Sequence, residues 1–245
     1  MNLLAQAPEA VFFTFLRFSG FFVTAPFPGF AVPAPAKVVL GGVLALCLAE
    51  PPDAPVYGWH TAAFDVLLGL AAGFALRLVV EAFAFGGEAA GTQMGLASLG
   101  FFNPMRTSQM TVLGSGFTFI ALGLFAAGEG PSRLLLFLGR FVELVPVART
   151  DLSVDSYALA ARIGAEMFEL GVRVAAPMIA AIFCSQLVLG VLARAVPTLN
   201  LLIEGPSLNL SAGVAGMIAS MYSYGPILMR AFDGRVEDLA LRWLR

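Results

Sequence analysis

From Thr61 to about Gly95 the chain reads as one long helix, apolar almost throughout and carrying only Asp65, Arg77, Glu81 and Glu88 as charges. An element of that length and character needs either a lipid solvent or a large protein interior around it. Its closing turns hold Gly87, Gly91 and Gly95 at four-residue spacing, so they share one face on which another helix can approach closely. Glu88 and Gln93 stand among them and call for partners inside protein, since lipid offers none. The helix then gives way to Leu99, Gly100, Phe101, Phe102, Asn103, Pro104 and Met105, an apolar loop. Paired phenylalanines on a loop are unusual, because loops normally face water.

Composition excludes the soluble alternative. Of 245 residues, 59% are hydrophobic and 12% charged, against roughly 25% charged in an ordinary soluble domain. The chain is expected to be an all-α membrane protein with about six apolar segments. A net charge of -2, with no run of Lys or Arg, argues against nucleic acid as a partner. Cys47 and Cys184 lie within apolar runs and are expected to be small core residues. Met1 to Glu9 has no basic start, so no cleavable leader is expected and the first apolar run should stay in place.

Along the chain, Ala10 to about Val32 is apolar apart from Arg17 and is long enough to span, but Pro26, Pro28, Pro33 and Pro35 break its end. Val38 to Ala49 is short, either a half-length helix or a hairpin partner for the first segment. Thr107 to Gly128 is an uncharged span, and Arg133 to Arg149 a shorter segment with Arg140 and Glu143 three apart. Thr150 to Glu169, the most polar region, looks like an amphipathic surface or interfacial helix, separate from the clean span Val174 to Ala193. Gly205 to Met229 is a further span, followed by a tail with Arg230, Arg235, Arg242 and Arg245, a weak pointer to a cytoplasmic end.

Catalysis finds little support. Gly114-Ser115-Gly116 resembles a nucleophile turn, but the one histidine, His60, falls in a Pro-rich loop and is expected to be solvent-exposed. A carboxylate dyad would need a second buried Asp beside Asp65. No His, Cys or carboxylate cluster suits a metal, and no phosphate-binding glycine loop occurs. The chain is expected to be no enzyme and to bind no cofactor. What remains are charges within apolar segments: Arg17, Asp65, Arg77, Glu81, Glu88, Arg140 and Glu143. Such charges mark function or partner contacts, or pair internally, as Arg77 and Glu81 can from positions four apart. Broken helices with buried charges also fit a free-standing secondary transporter or channel, although two matching halves are not evident.

Several motifs together resemble the FliR family. Gly87-Glu88, Gly91 and Gln93-Met94-Gly95, followed closely by Phe102-Asn103-Pro104, resemble its central signature. Leu16-Arg17, Ala25-Pro26 and Val32-Pro33 with Lys37 resemble its first helix and following loop. Ala176-Pro177, then Leu189-Gly190, Arg194, Val196-Pro197 and Asn200, resemble its late hairpin. The resemblance covers about residues 10 to 232. It departs at Asn103, where the family usually carries an acid before the proline, at the short stretch Val38 to Asp53, and at Thr150 to Glu169.

The resemblance implies a structural subunit of the type III protein export gate, serving a flagellum or a virulence injectisome; Val32-Pro33 and Lys37 lean to the flagellar branch. Implied partners are P-type and Q-type gate subunits wound with it into a helical hetero-oligomer, A-type and B-type export subunits beneath, unfolded export substrates, and the lipid of the bacterial inner membrane. It implies one integral membrane domain over 1–245: N-terminal helices 10–60, a central helix and plug-like loop 61–110, C-terminal helices 111–232 and a basic tail 233–245. It implies a pore plug formed by Leu99 to Met105. Gly87, Glu88, Gly91, Gln93, Met94 and Gly95 are expected to pack helices or subunits together, with Glu88 and Gln93 bonding across a subunit interface. Arg17, Arg77 and Glu81 are the expected buried charges. An apolar loop on a rigid small-residue helix can exclude ions and yield to a passing chain; alternatively, Phe101 and Phe102 simply anchor the loop in a bundle core.

Overall fold

The computed structural model describes residues 8–27, 33–49, 58–96, 111–147, 156–195 and 201–242. The described residues form seven helices: α1 (Pro8–Thr24), α2 (Ala34–Leu48), α3 (Trp59–Gln93), α4 (Val112–Ala127), α5 (Gly130–Leu144), α6 (Ser156–Ala195) and α7 (Leu201–Arg242). The protein is an all-α membrane protein, as its composition requires. In a solvent without hydrogen-bonding capacity each backbone group must be satisfied within its own segment, and a helix does this. Among the described residues, two helical stretches are long and apolar enough to cross a membrane, Trp59–Gln93 and Gly164–Ala195. The shorter α4 and α5 make a third if taken together as one broken span.

The chain divides into two compact units. The first comprises residues 1–79, 125–164 and 229–245. Here α1 stops after 17 residues, short of the roughly 20 a crossing needs. Pro26, two residues past its end, cannot extend the ladder. α2 is the half-length helix foreseen, starting behind Pro33 with a proline in its first turn, where the missing N–H costs nothing. It packs on α1, with Gly41 beside the backbone of Phe18 and Ser19. α1 also lies backbone to backbone on α3. A Cβ at Gly20 would meet the Val66 carbonyl, one at Gly69 the Arg17 carbonyl, and one at Gly73 the Phe21 carbonyl. Aromatic rings fill the space beside this contact: Phe21 meets Phe22 edge-on and Phe137 at a tilt, and Phe137 stacks on Phe141 with centroids 5.5 Å apart. Arg133 of α5 pairs with Asp233 of α7 within the same unit.

The second unit comprises residues 80–124 and 165–228. Its centre is Tyr224, 1% exposed and met edge-on by Phe83 of α3 and Phe117 of α4. The Tyr224 hydroxyl lies 2.6 Å from that of Ser220, so neither polar atom is stranded among the rings. Gly86 takes α6 at close range, since a Cβ there would press on the Gly171 carbonyl and on Val174. Gly216 of α7 likewise sits against Met178 and the Pro177 carbonyl.

Several local expectations are corrected. From Ser156 onward, the expected surface or interfacial helix and the separate span at 174–193 are one helix, α6. Glu169 and Arg173, which marked the supposed boundary, pair at i,i+4 across 2.6 Å on its exposed side, and Pro177 lies inside the helix. The tail after Met229 continues α7 to Arg242, and Pro206 and Pro226 lie inside the same helix before it. Cys47 and Cys184 are exposed on the chain's surface, because their helices turn those faces away from each unit's core. His60 is exposed on the first turn of α3 rather than in a loop.

The backbone contact at Gly69 is the most sensitive point of the first unit. Gly69→Ala should lower stability by about 1–3 kcal/mol, the usual range for overpacking, read as a reduced thermal midpoint of the full chain in mild detergent. Gly116→Ala in α4, where a Cβ meets open space, should leave the midpoint unchanged or raise it.

Candidate functional site

The glycine-rich end of α3 and the start of α4 form a tight junction in the second unit. Gly87 faces α4 so closely that a Cβ would lie 2.9 Å from both the Leu113 carbonyl and the Phe117 Cβ. Gly91 faces Thr111 and Leu113, with a Cβ placed 2.7 Å from the Thr111 hydroxyl. Four-residue spacing thus becomes a groove that receives a helix of the same chain. Met94 is 2% exposed and covers Gly213 of α7, whose added Cβ would collide with the Met94 side chain. Gly95 ends the helix: its φ of 83° is left-handed, open to glycine without penalty, and its N–H returns to the Thr92 carbonyl at 3.0 Å.

Glu88 joins the two helices. Its Oε2 accepts the Thr111 backbone N–H at 2.7 Å and the Thr111 hydroxyl at 2.8 Å. The Thr111 Oγ1 in turn accepts the Gly114 N–H at 3.1 Å, and the Thr111 carbonyl accepts the Ser115 N–H. Thr111 is therefore the N-cap of α4, and Glu88 places a carboxylate at that helix's positive end. The partner of Glu88 is in its own chain. Gln93 is exposed, turned away from this junction. Thr111 and Gly114 had no signal of their own: a threonine before an apolar run is the ordinary look of a cap, and only the fold shows whose carboxylate reaches it. The expected plug, Leu99 to Met105, lies outside the described residues, which resume at Thr111 on the far side of the junction.

The intramembrane charges separate into distinct groups. Arg17 and Asp65 are both wholly buried and paired, the Arg17 Nε donating to Asp65 Oδ1 at 2.9 Å and Nη2 to the same oxygen. Arg17 also donates to the carbonyls of Val145 and Pro146, just past the end of α5, and lies over the Phe141 ring at 5.3 Å. Arg77 and Glu81 stand one turn apart on α3, each half-buried. Arg140 and Glu143, grouped with the buried charges by sequence, are on the exposed side of α5. The three-residue spacing put them on one face but could not say which face turned inward. Ser115, the possible nucleophile, spends its hydroxyl on the Val112 carbonyl of its own helix at 3.0 Å. Among the described residues, no group of His, Cys, Asp or Glu could hold a metal.

Comparison with known proteins places these motifs in context. Residues 9–235 match the family model described as bacterial export proteins, family 1. The chain is 28% identical over 207 residues to the flagellar biosynthetic protein FliR of Escherichia coli (strain K12), covering 81% of this chain and 79% of that one. It is 26% identical over 251 residues to the flagellar biosynthetic protein FliR of Bacillus subtilis (strain 168), covering 98% and 96%. A similar match, 28% over 210 residues, is found to the protein of that name from Pectobacterium carotovorum subsp. carotovorum.

The Arg17–Asp65 pair yields a direct test. Arg17→Met or Asp65→Leu alone should cost about 3–5 kcal/mol, because each leaves one buried charge without its partner. The double variant should recover part of that loss. A thermal-unfolding double-mutant cycle on the full chain in detergent measures the coupling, and strictly additive losses would refute it.

Proposed function

The chain belongs to the FliR family of bacterial export proteins, a membrane-embedded component of a flagellar export apparatus, and on that premise we propose that it is the R-type gate subunit that helps form and seal the inner-membrane export pore. Its role is structural. It would stand in a helical assembly with P-type and Q-type subunits, above A-type and B-type export subunits, while unfolded flagellar proteins pass through.

The observation that carries this reading is the junction of α3 and α4. A seal inside a pore must be held firmly at its base while its apolar tip excludes water and ions. Residues 97–110 leave from Gly95 and Leu96 and return at Thr111, and those two places are held together by Gly87, Gly91 and the Glu88–Thr111 bonds. The intervening sequence contains Phe101, Phe102, Met105 and Met110, large apolar side chains that can close a narrow passage. Thioethers add adaptability, since they pack against varied surfaces. Gln93, exposed near the same end of α3, is suited to bond a neighbouring subunit.

Deleting Gly100 to Phe102 should leave the complex recoverable while making the membrane conduct small ions. Ion flux in vesicles carrying the assembled complex reads this, and normal tightness would sink the sealing role. A mild-detergent pull-down of the tagged chain from native membranes should bring two small helical membrane proteins in excess over the bait. Recovery as a lone monodisperse monomer, with solute uptake by the chain alone in liposomes, would favour a free-standing transporter instead.

A further inference from the structure

We propose that Glu88 is a positioning residue: its charged carboxylate latches the N-terminus of α4 onto α3 and so sets the spacing at which the chain leaves one helix and enters the next. The functional consequence of the latch rests on the sealing role above; the latch itself does not.

The bonds run in one direction. The Gly114 N–H donates to the Thr111 hydroxyl oxygen, so the hydroxyl's single proton is free to go to Glu88. The same Oε2 takes the Thr111 backbone N–H. One carboxylate oxygen thus serves two donors at the end of a helix, where negative charge is favoured and charge-assisted bonds are the strong ones. The site has been cleared to receive it. A Cβ at Gly114 would stand 2.6 Å from Glu88 Oε2, and one at Gly91 2.7 Å from the Thr111 hydroxyl. Thr111 itself is 6% exposed, so the bonds face little competition from water. Glycines on both helices and a buried threonine make up a receptacle for this one side chain. A chance contact would not need it.

Gly114→Ala is the selective probe. The new methyl lands on the far end of a flexible side chain, so the carboxylate can swing aside without a backbone shift, while alanine favours the helix more than glycine does. Glu88→Gln keeps an acceptor oxygen and removes the charge. Spin labels at the exposed positions Thr92 and Val112, in a full-length chain with Cys47 and Cys184 replaced by serine, report the spacing by pulsed dipolar spectroscopy. Gly114→Ala and Thr111→Val should broaden the distance distribution markedly, and Glu88→Gln should broaden it less. In the assembled complex the same variants should raise ion leak in that order while recovery stays the same. If Gly114→Ala and Glu88→Gln both keep the narrow distribution of the unaltered chain, the latch is overturned, even where deletion of residues 100–102 leaks. If Gly114→Ala broadens the distribution but neither it nor that deletion leaks, the latch is upheld and the sealing role is what fails.

Discussion

A guanidinium cannot shed its charge by titration, so burying Arg17 without exposure to water obliges the protein to surround it with acceptors. The first unit is arranged to that end. Asp65 of α3 supplies the compensating carboxylate, Val145 and Pro146 supply carbonyls left over at the end of α5, and the Phe141 ring covers the cation. α1 must then lie directly on α3. Glycines at 20, 69 and 73 permit this by letting backbone carbonyls occupy the space a methyl would fill. Three helices are set in place by one side chain. A purely apolar contact between the same helices would tolerate sliding; a forked donor with three acceptor groups does not.

The second unit repeats the logic with weaker charges. Glu88 is half-buried rather than sealed, and it is satisfied by a helix terminus in place of a cation. Around it, the Phe83, Tyr224 and Phe117 rings provide the bulk that glycines 86, 87 and 91 lack. Small residues bring backbones close, aromatic residues fill what remains, and one polar bond chooses among the registers that packing alone would allow.

Much of the fold was legible in the residues. The long central helix was foreseen as Thr61 to Gly95 and is Trp59 to Gln93; the half-length α2 and its pairing with α1 follow from prolines and length. Failures came where a local signal was read without its context. Glu169 and Arg173 looked like the edge of a membrane span, yet they neutralise each other at i,i+4 and the helix runs on. Cys47 and Cys184 were placed in the core because their runs are apolar. In a membrane chain, apolar residues occupy outward faces as readily as inward ones, so hydropathy loses its power to tell the two apart.

The amino-acid sequence by itself determined the solvent, the helical class and the family: apolar runs too long for water, small-residue spacing, and the Gly87 to Pro104 signature are local properties that survive without coordinates. It also marked which side chains would be costly to bury. The pairing of those side chains was decided by tertiary structure alone. Arg17 finds Asp65 across 48 residues of sequence, not a neighbour one turn away, and Glu88 finds the cap of the next helix across 23. Such partners are settled by which helix faces meet, a matter of packing geometry summed over many residues, and no spacing rule within a single helix encodes it.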